Sequence, residues 1–218
     1  METEGDAVRE NTTGFNEGRY ERVAELEDYE ALKEEARAIR EDAVERLPEL
    51  IDDLTEAVEA NGGHVYLADD AADADRYVGR VLSDHDAEKV VKSKSMTTEE
   101  IELNAALESA DVDVIETDLG EWVIQLADES PSHIIGPAIH KSRESIAELF
   151  AERFDPEDPP ETAEELTRFA RDRLLAEVRE ADVGVTGANF LTADSGTMAL
   201  VTSEGNARKT VTAPDVHV

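Results

Sequence analysis

The sequence predicts an α/β fold: a mostly parallel sheet flanked by helices, with antiparallel C-terminal strands and an N-terminal helical segment in front. Three observations predict it. From residue 62 to residue 180, short strand-like apolar runs alternate with helical patterns about 10–15 residues long, the mark of parallel strands joined by helical crossovers. Ahead of them, Tyr20, Val23, Leu26, Leu32, Ala36, Ile39, Ala43 and Leu47 recur at helical spacing with charge between them. Behind them, from Asp182 to Arg208, glycine-bearing polar turns separate the short apolar runs Val183–Val185, Phe190–Ala193 and Met198–Thr202.

Residues 1–16 are acidic and polar and read as a mobile N-terminus. Residues 17–61 form the helical segment, interrupted at Pro48 and closed by Asn61-Gly62-Gly63 after a second helix over 49–60. Residues 62–218 form the α/β domain. Its predicted elements are a strand at His64–Ala68, a helix at Ala72–Ser83 and a strand at Glu88–Lys92. A helix at Thr97–Ala110 follows, opened by the capping box Thr97-x-x-Glu100. Strands are expected at Asp113–Thr117, Trp122–Leu126 and Ser132–Ile135, then a helix at Ser142–Phe154. A long helix over Thr162–Glu180 starts with a second capping box, Thr162-x-x-Glu165.

Charge separates this chain from many functional classes. It carries 54 Asp and Glu against 21 Lys and Arg, a net charge of −33, which excludes nucleic acid and an anionic membrane surface as partners. The acids interleave with periodic apolar residues, so they belong to a folded surface rather than to a disordered tail. At roughly 1 M salt the Debye length falls to about 3 Å and screens such a surface. The composition therefore reads as that of a halophile's cytoplasmic protein. No apolar run approaches the roughly 18 residues of a membrane span. The acidic start METEGDAVRE is not a signal peptide. There is no cysteine, hence no thiol nucleophile and no thiolate ligand.

Three loops follow predicted strands, where open α/β sheets place their ligands. Val91–Thr98 holds Lys92, Lys94 and Ser95 ahead of a predicted helix start, a setting suited to anions. Gly136–Arg143 holds His140 and Lys141 in a similar place. The third region comprises the turns Asp194-Ser195-Gly196-Thr197 and Glu204-Gly205-Asn206, whose backbone N–H groups and hydroxyls suit a carboxylate or phosphate. The same glycines also serve a plain β-meander, whose turns need them for geometry alone. Of six lysines (33, 89, 92, 94, 141 and 209), three sit in the first two loops of a chain that otherwise discards lysine. His140 is a candidate proton donor or acceptor near neutral pH, and Glu204 a candidate nucleophile or base. His133 reads as a packed or capping residue. The histidine spacing gives no metal site.

Five segments carry a resemblance: Lys92–Ile101 (KSKSMTTEEI), Glu116–Glu121 (ETDLGE), His133–Lys141 (HIIGPAIHK), Gly184–Phe190 (GVTGANF) and Ser203–Asn206 (SEGN). In order and spacing they resemble the LUD domain family, in the form carried by the iron–sulfur subunit of bacterial and archaeal L-lactate-oxidising complexes. The resemblance runs from about residue 20 to the C-terminus and implies a fold akin to sugar-isomerase and CoA-transferase-like domains. It implies a part in oxidising L-lactate to pyruvate with other subunits of a lactate-utilization complex, to which the loops above add a small anionic metabolite as ligand. Asn189, inside the fourth segment, joins the ligand-binding candidates. Such subunits continue into a ferredoxin-like region whose cysteines hold 4Fe-4S clusters. These residues contain none, so clusters are expected only in a missing C-terminal region, with the domain truncated at its end. The alternative is a stand-alone LUD protein: a CoA-transferase-like enzyme using Glu204, or a metabolite-binding module.

Overall fold

The computed structural model describes residues 4–134 and 136–218. In chain order the helices are α1 (Glu4–Ala24), α2 (Tyr29–Glu45), α3 (Leu47–Ala60), α4 (Ala71–Asp84), α5 (Met96–Glu100) and α6 (Leu103–Glu108). They continue with α7 (Leu119–Ala127), α8 (Arg143–Phe154), α9 (Ala163–Glu180) and α10 (Asn206–Thr212). The strands are β1 (Lys89–Lys92), β2 (Asp113–Glu116), β3 (Val183–Val185), β4 (Phe190–Thr192), β5 (Thr197–Ala199) and β6 (Val216–His217). They fall into two compact units, one of residues up to Tyr66 with Asn189–Ala199, the other of Leu67–Ala188 with Leu200–Val218.

The first unit holds α1–α3 and the antiparallel pair β4–β5. Helix α1 runs through residues the sequence marks as a mobile terminus. Neither α2 nor α3 fully buries a residue, and Leu32, Ile39 and Leu47 of the predicted apolar stripe are exposed. Pro48 lies in the first turn of α3, where its missing N–H costs no helical hydrogen bond. The helix closes at Asn61, with Gly62 at φ +85°. The β4–β5 turn packs on this helix. A Cβ at Gly196 would lie 2.9 Å from the Val58 backbone nitrogen, and Asn61 Nδ2 donates to the Ser195 carbonyl at 3.2 Å.

The second unit is built on a parallel sheet of order β2-β1-β3-β6. Its central strands are buried on both faces, as parallel strands beneath helices require. Alternation along β2 shows the two sides. Val114 joins a core with Val78, Leu82, Leu103 and Leu107 from α4 and α6, while Ile115 packs against the opposite core. That opposite core is aromatic: Trp122 of α7 meets Phe150 of α8 with ring centroids 5.4 Å apart, and Phe150 meets Phe169 of α9 at 5.3 Å.

Four expected elements differ. Trp122–Leu126 lies within a helix, α7, because Leu119, Trp122, Val123 and Leu126 recur at i, i+3, i+4 and i+7 and all face the aromatic core. His64–Ala68 pairs with no strand among the described residues. Ser132–Ile134 forms bends, with the Ser132 N–H donating to the Pro137 carbonyl at 3.1 Å; Ile135 lies outside the described residues. The predicted helix 97–110 breaks at Ile101–Glu102, where Glu102 takes φ +55°, and its cap is Ser95 rather than Thr97. Helix α9 opens with the expected capping box of Thr162 and Glu165.

Candidate functional site

The parallel register sets Lys92, last residue of β1, beside Glu116, last residue of β2. Their side chains form an ion pair at 2.8 Å, with Lys92 only 1% exposed. Thr98 accepts a further hydrogen bond from the ammonium at 3.3 Å, and Asn104 donates to the carboxylate at 2.7 Å. Thr117, the next residue of the chain, donates its hydroxyl to the Lys92 carbonyl at 2.9 Å.

One residue further, Asp118 gathers three loops. Its Oδ2 accepts from the Lys94 N–H at 2.8 Å and from Asn206 Nδ2 at 2.7 Å. The Lys94 ammonium pairs with Glu121, and the Leu119 N–H donates to Glu204 at 3.4 Å. Two glycines permit this packing. A Cβ on Gly187 would sit 2.6 Å from Ser95 Oγ, and one on Gly184 would sit 1.9 Å from the Thr210 carbonyl oxygen of α10. Gly205 holds φ +74° immediately before that helix, a conformation that suits glycine.

The candidates read from the sequence therefore separate into three groups. Lys92, Lys94, Ser95, Glu204, Gly205 and Asn206 meet around the ends of β1 and β2. His140 and Lys141 converge instead on Glu129, His140 Nε2 at 2.9 Å, with Ser132 on the other ring nitrogen at 2.7 Å. Those partners, Lys141 first, hold the Glu129 carboxyl below its ordinary range. His133 accepts from the Gly136 N–H through Nδ1 at 3.4 Å. Asn189 and the turn Asp194–Thr197 belong to the first unit. There Ser195 donates to Thr192 and Thr197 at 3.2 and 3.0 Å, and the Asn189 N–H reaches the Ala199 carbonyl at 3.0 Å.

Each of the three lysines expected to hold an anion thus carries a carboxylate of the chain itself. Helix α5 has five residues, too few to build a strong dipole beside Lys94. In the second unit, a cavity of about 450 Å³ opens beside the Asp118 cluster. Thr117, Glu204 and Asn206 edge it, Ala170, Leu174, Leu175 and Val178 of α9 form an apolar wall, and Arg171 and Lys209 supply cations. Burial raises the Glu204 pKa above the ordinary carboxylate value, helped by the negative charges of Asp118 and then Glu121. Sequence reasoning passed over Arg171 and Lys209. Lys209 had one available signal, as a lysine in a chain with only six. Among the described residues no cluster of three or more His, Asp or Glu side chains is placed to hold a metal. With no cysteine, these residues offer no thiolate to an iron–sulfur cluster.

The sheet, its covering helices and the loops clasped at Asp118 define an α/β domain whose family can be stated: residues 51–218 match the LUD domain, and the chain belongs to that family. Among its curated relatives, lactate utilization protein B of Oceanobacillus iheyensis is 44% identical over 94% of this chain, and that of Shouchella clausii 46% identical over 89%. An uncharacterized electron transport protein of Escherichia coli K12, YkgF, is 44% identical over 92%. The aligned part is 42%, 41% and 42% of these relatives, so the chain spans about two fifths of their length. No solved structure matches. Among the described residues no helix is long and apolar enough to cross a membrane.

Proposed function

We propose that this chain is the LUD part of a lactate-utilization B-type protein that takes part in oxidising L-lactate to pyruvate. It acts as scaffold and small-anion site beside iron–sulfur clusters held outside these residues and within a complex of other subunits. The observation that carries the scaffold role is Asp118, whose single carboxylate oxygen ties the backbone after β1 to the side chain that opens α10. Lys92–Glu116 and Lys94–Glu121 brace the same loops from beneath and beside. Carboxylate-bound lysines suit a fixed frame better than a ligand cradle, so the anion-binding role falls on the neighbouring cavity.

The test is made in the organism. Deleting the coding sequence should abolish L-lactate-dependent reduction of an artificial acceptor by cell extract. The wild-type gene should restore it, and Asp118→Ala, with the clasp gone, should restore about a tenth or less, on the scale of charge-assisted hydrogen bonds. Undiminished lactate oxidation in the deletion strain would overturn the reading.

A further inference from the structure

We infer that the cavity between α9 and α10 binds an organic anion with an apolar body, its carboxylate held by Lys209 and Arg171. The inference deepens the anion-binding part of the function proposed above and rests on it to that extent.

Lysine pairing is the first argument. Lys33, Lys89, Lys92, Lys94 and Lys141 each lie within ion-pair distance of a carboxylate. Lys209 is the exception: half-buried, it has no ion pair among the described residues, in a chain whose acids outnumber its bases 54 to 21. Arg171, on the same cavity, likewise has none among the described residues. Two cations without an ion pair share this concavity with a single carboxylate, Glu204, so its lining carries an excess of positive charge placed for an anion from outside the chain.

Shape gives the ligand class. At about 450 Å³ the cavity falls within the usual range of ligand sites, roughly 300–1,000 Å³. That leaves most of it empty around a three-carbon acid. Leu174, Leu175 and Val178 offer a hydrocarbon surface that inorganic phosphate would leave in contact with water. The match is a carboxylate on a hydrocarbon chain several carbons long. The overall negative charge opposes anion entry only at long range. In molar salt the Debye length is about 3 Å, and direct contact with the two cations decides.

Isothermal titration of the whole chain in molar potassium chloride tests this with hexanoate, 1-hexanol, L-lactate and inorganic phosphate as probes. Hexanoate should bind at least about tenfold more tightly than the other three. Lys209→Met should weaken it about tenfold, the scale of one charged hydrogen bond. Leu175→Trp, which fills the cavity, should abolish it, with far-ultraviolet circular dichroism showing both variants folded. Absence of hexanoate binding, equal binding of hexanoate and hexanol, or indifference to both variants would overturn the inference. Binding of L-lactate or phosphate alone would overturn the ligand class while leaving a small-anion site standing. The lactate-oxidation reading fails separately, through the deletion strain.

Discussion

Burying an ammonium group costs several kcal/mol unless a carboxylate meets it, and at the end of β1 Glu116 meets Lys92 at 2.8 Å. Removing one partner leaves the other charged and dry. Lys92→Met should therefore lower unfolding free energy by about 3–5 kcal/mol, and adding Glu116→Leu should recover most of the loss. The chain's one tryptophan, Trp122, is buried in the aromatic core of the same unit. Its fluorescence during denaturant unfolding in molar salt makes the measurement. A single variant as stable as the parent would mean that the pair is solvated. The sequence marks Lys92 as a retained lysine but does not disclose its partner. Glu116 comes opposite only through strand register, a long-range fact no local spacing carries. For the same reason Lys92 reads from sequence as a ligand-facing cation and from structure as a buried one.

At the scale of elements, legibility followed periodicity. Helices α4, α8 and α9 and strands β1, β2 and β3 lie where alternation and caps place them, to within one or two residues. Helix α7 does not, because its apolar run Trp122-Val123-Ile124 looks like a buried strand until Leu119 and Leu126 are counted with it. Helix α10 was hidden by its length, seven residues following a glycine. What fixes α10 is tertiary: its Thr210 carbonyl lies on β3 where Gly184 has no side chain. Gly184→Ala would force a methyl group to 1.9 Å from that oxygen, so strand and helix must part. The substitution should cost about 3 kcal/mol or more, at or above the upper end of ordinary overpacking, in the same Trp122 assay. A cost below about 0.5 kcal/mol would show that α10 does not rest on β3. Because Asn206 opens this helix, the variant should also loosen the Asp118 clasp.

Across the whole molecule, the fold class was legible because strand–helix alternation survives local errors, whereas the grouping of candidate residues was not. Asn189 and Asp194–Thr197 look continuous with Glu204–Asn206 in sequence but belong to the other unit. The surface carries its own prediction. Of the carboxylates that make the net charge −33, most have no cation to pair with, since only 21 are present. The exposed pairs that do form, such as Arg22–Glu25 and Arg37–Glu41, are of a kind worth about 0–1 kcal/mol each. Repulsion among the remainder is screened over about 3 Å at 1 M salt but reaches about 30 Å at 0.01 M, comparable with the size of a domain. The chain should therefore melt at a temperature that rises steadily from dilute buffer to molar potassium chloride, and lose helical circular dichroism when dialysed to low salt. Sodium and potassium chloride should act alike if screening is the cause. A melting temperature independent of salt would remove the halophilic reading and leave the acidic surface without that explanation.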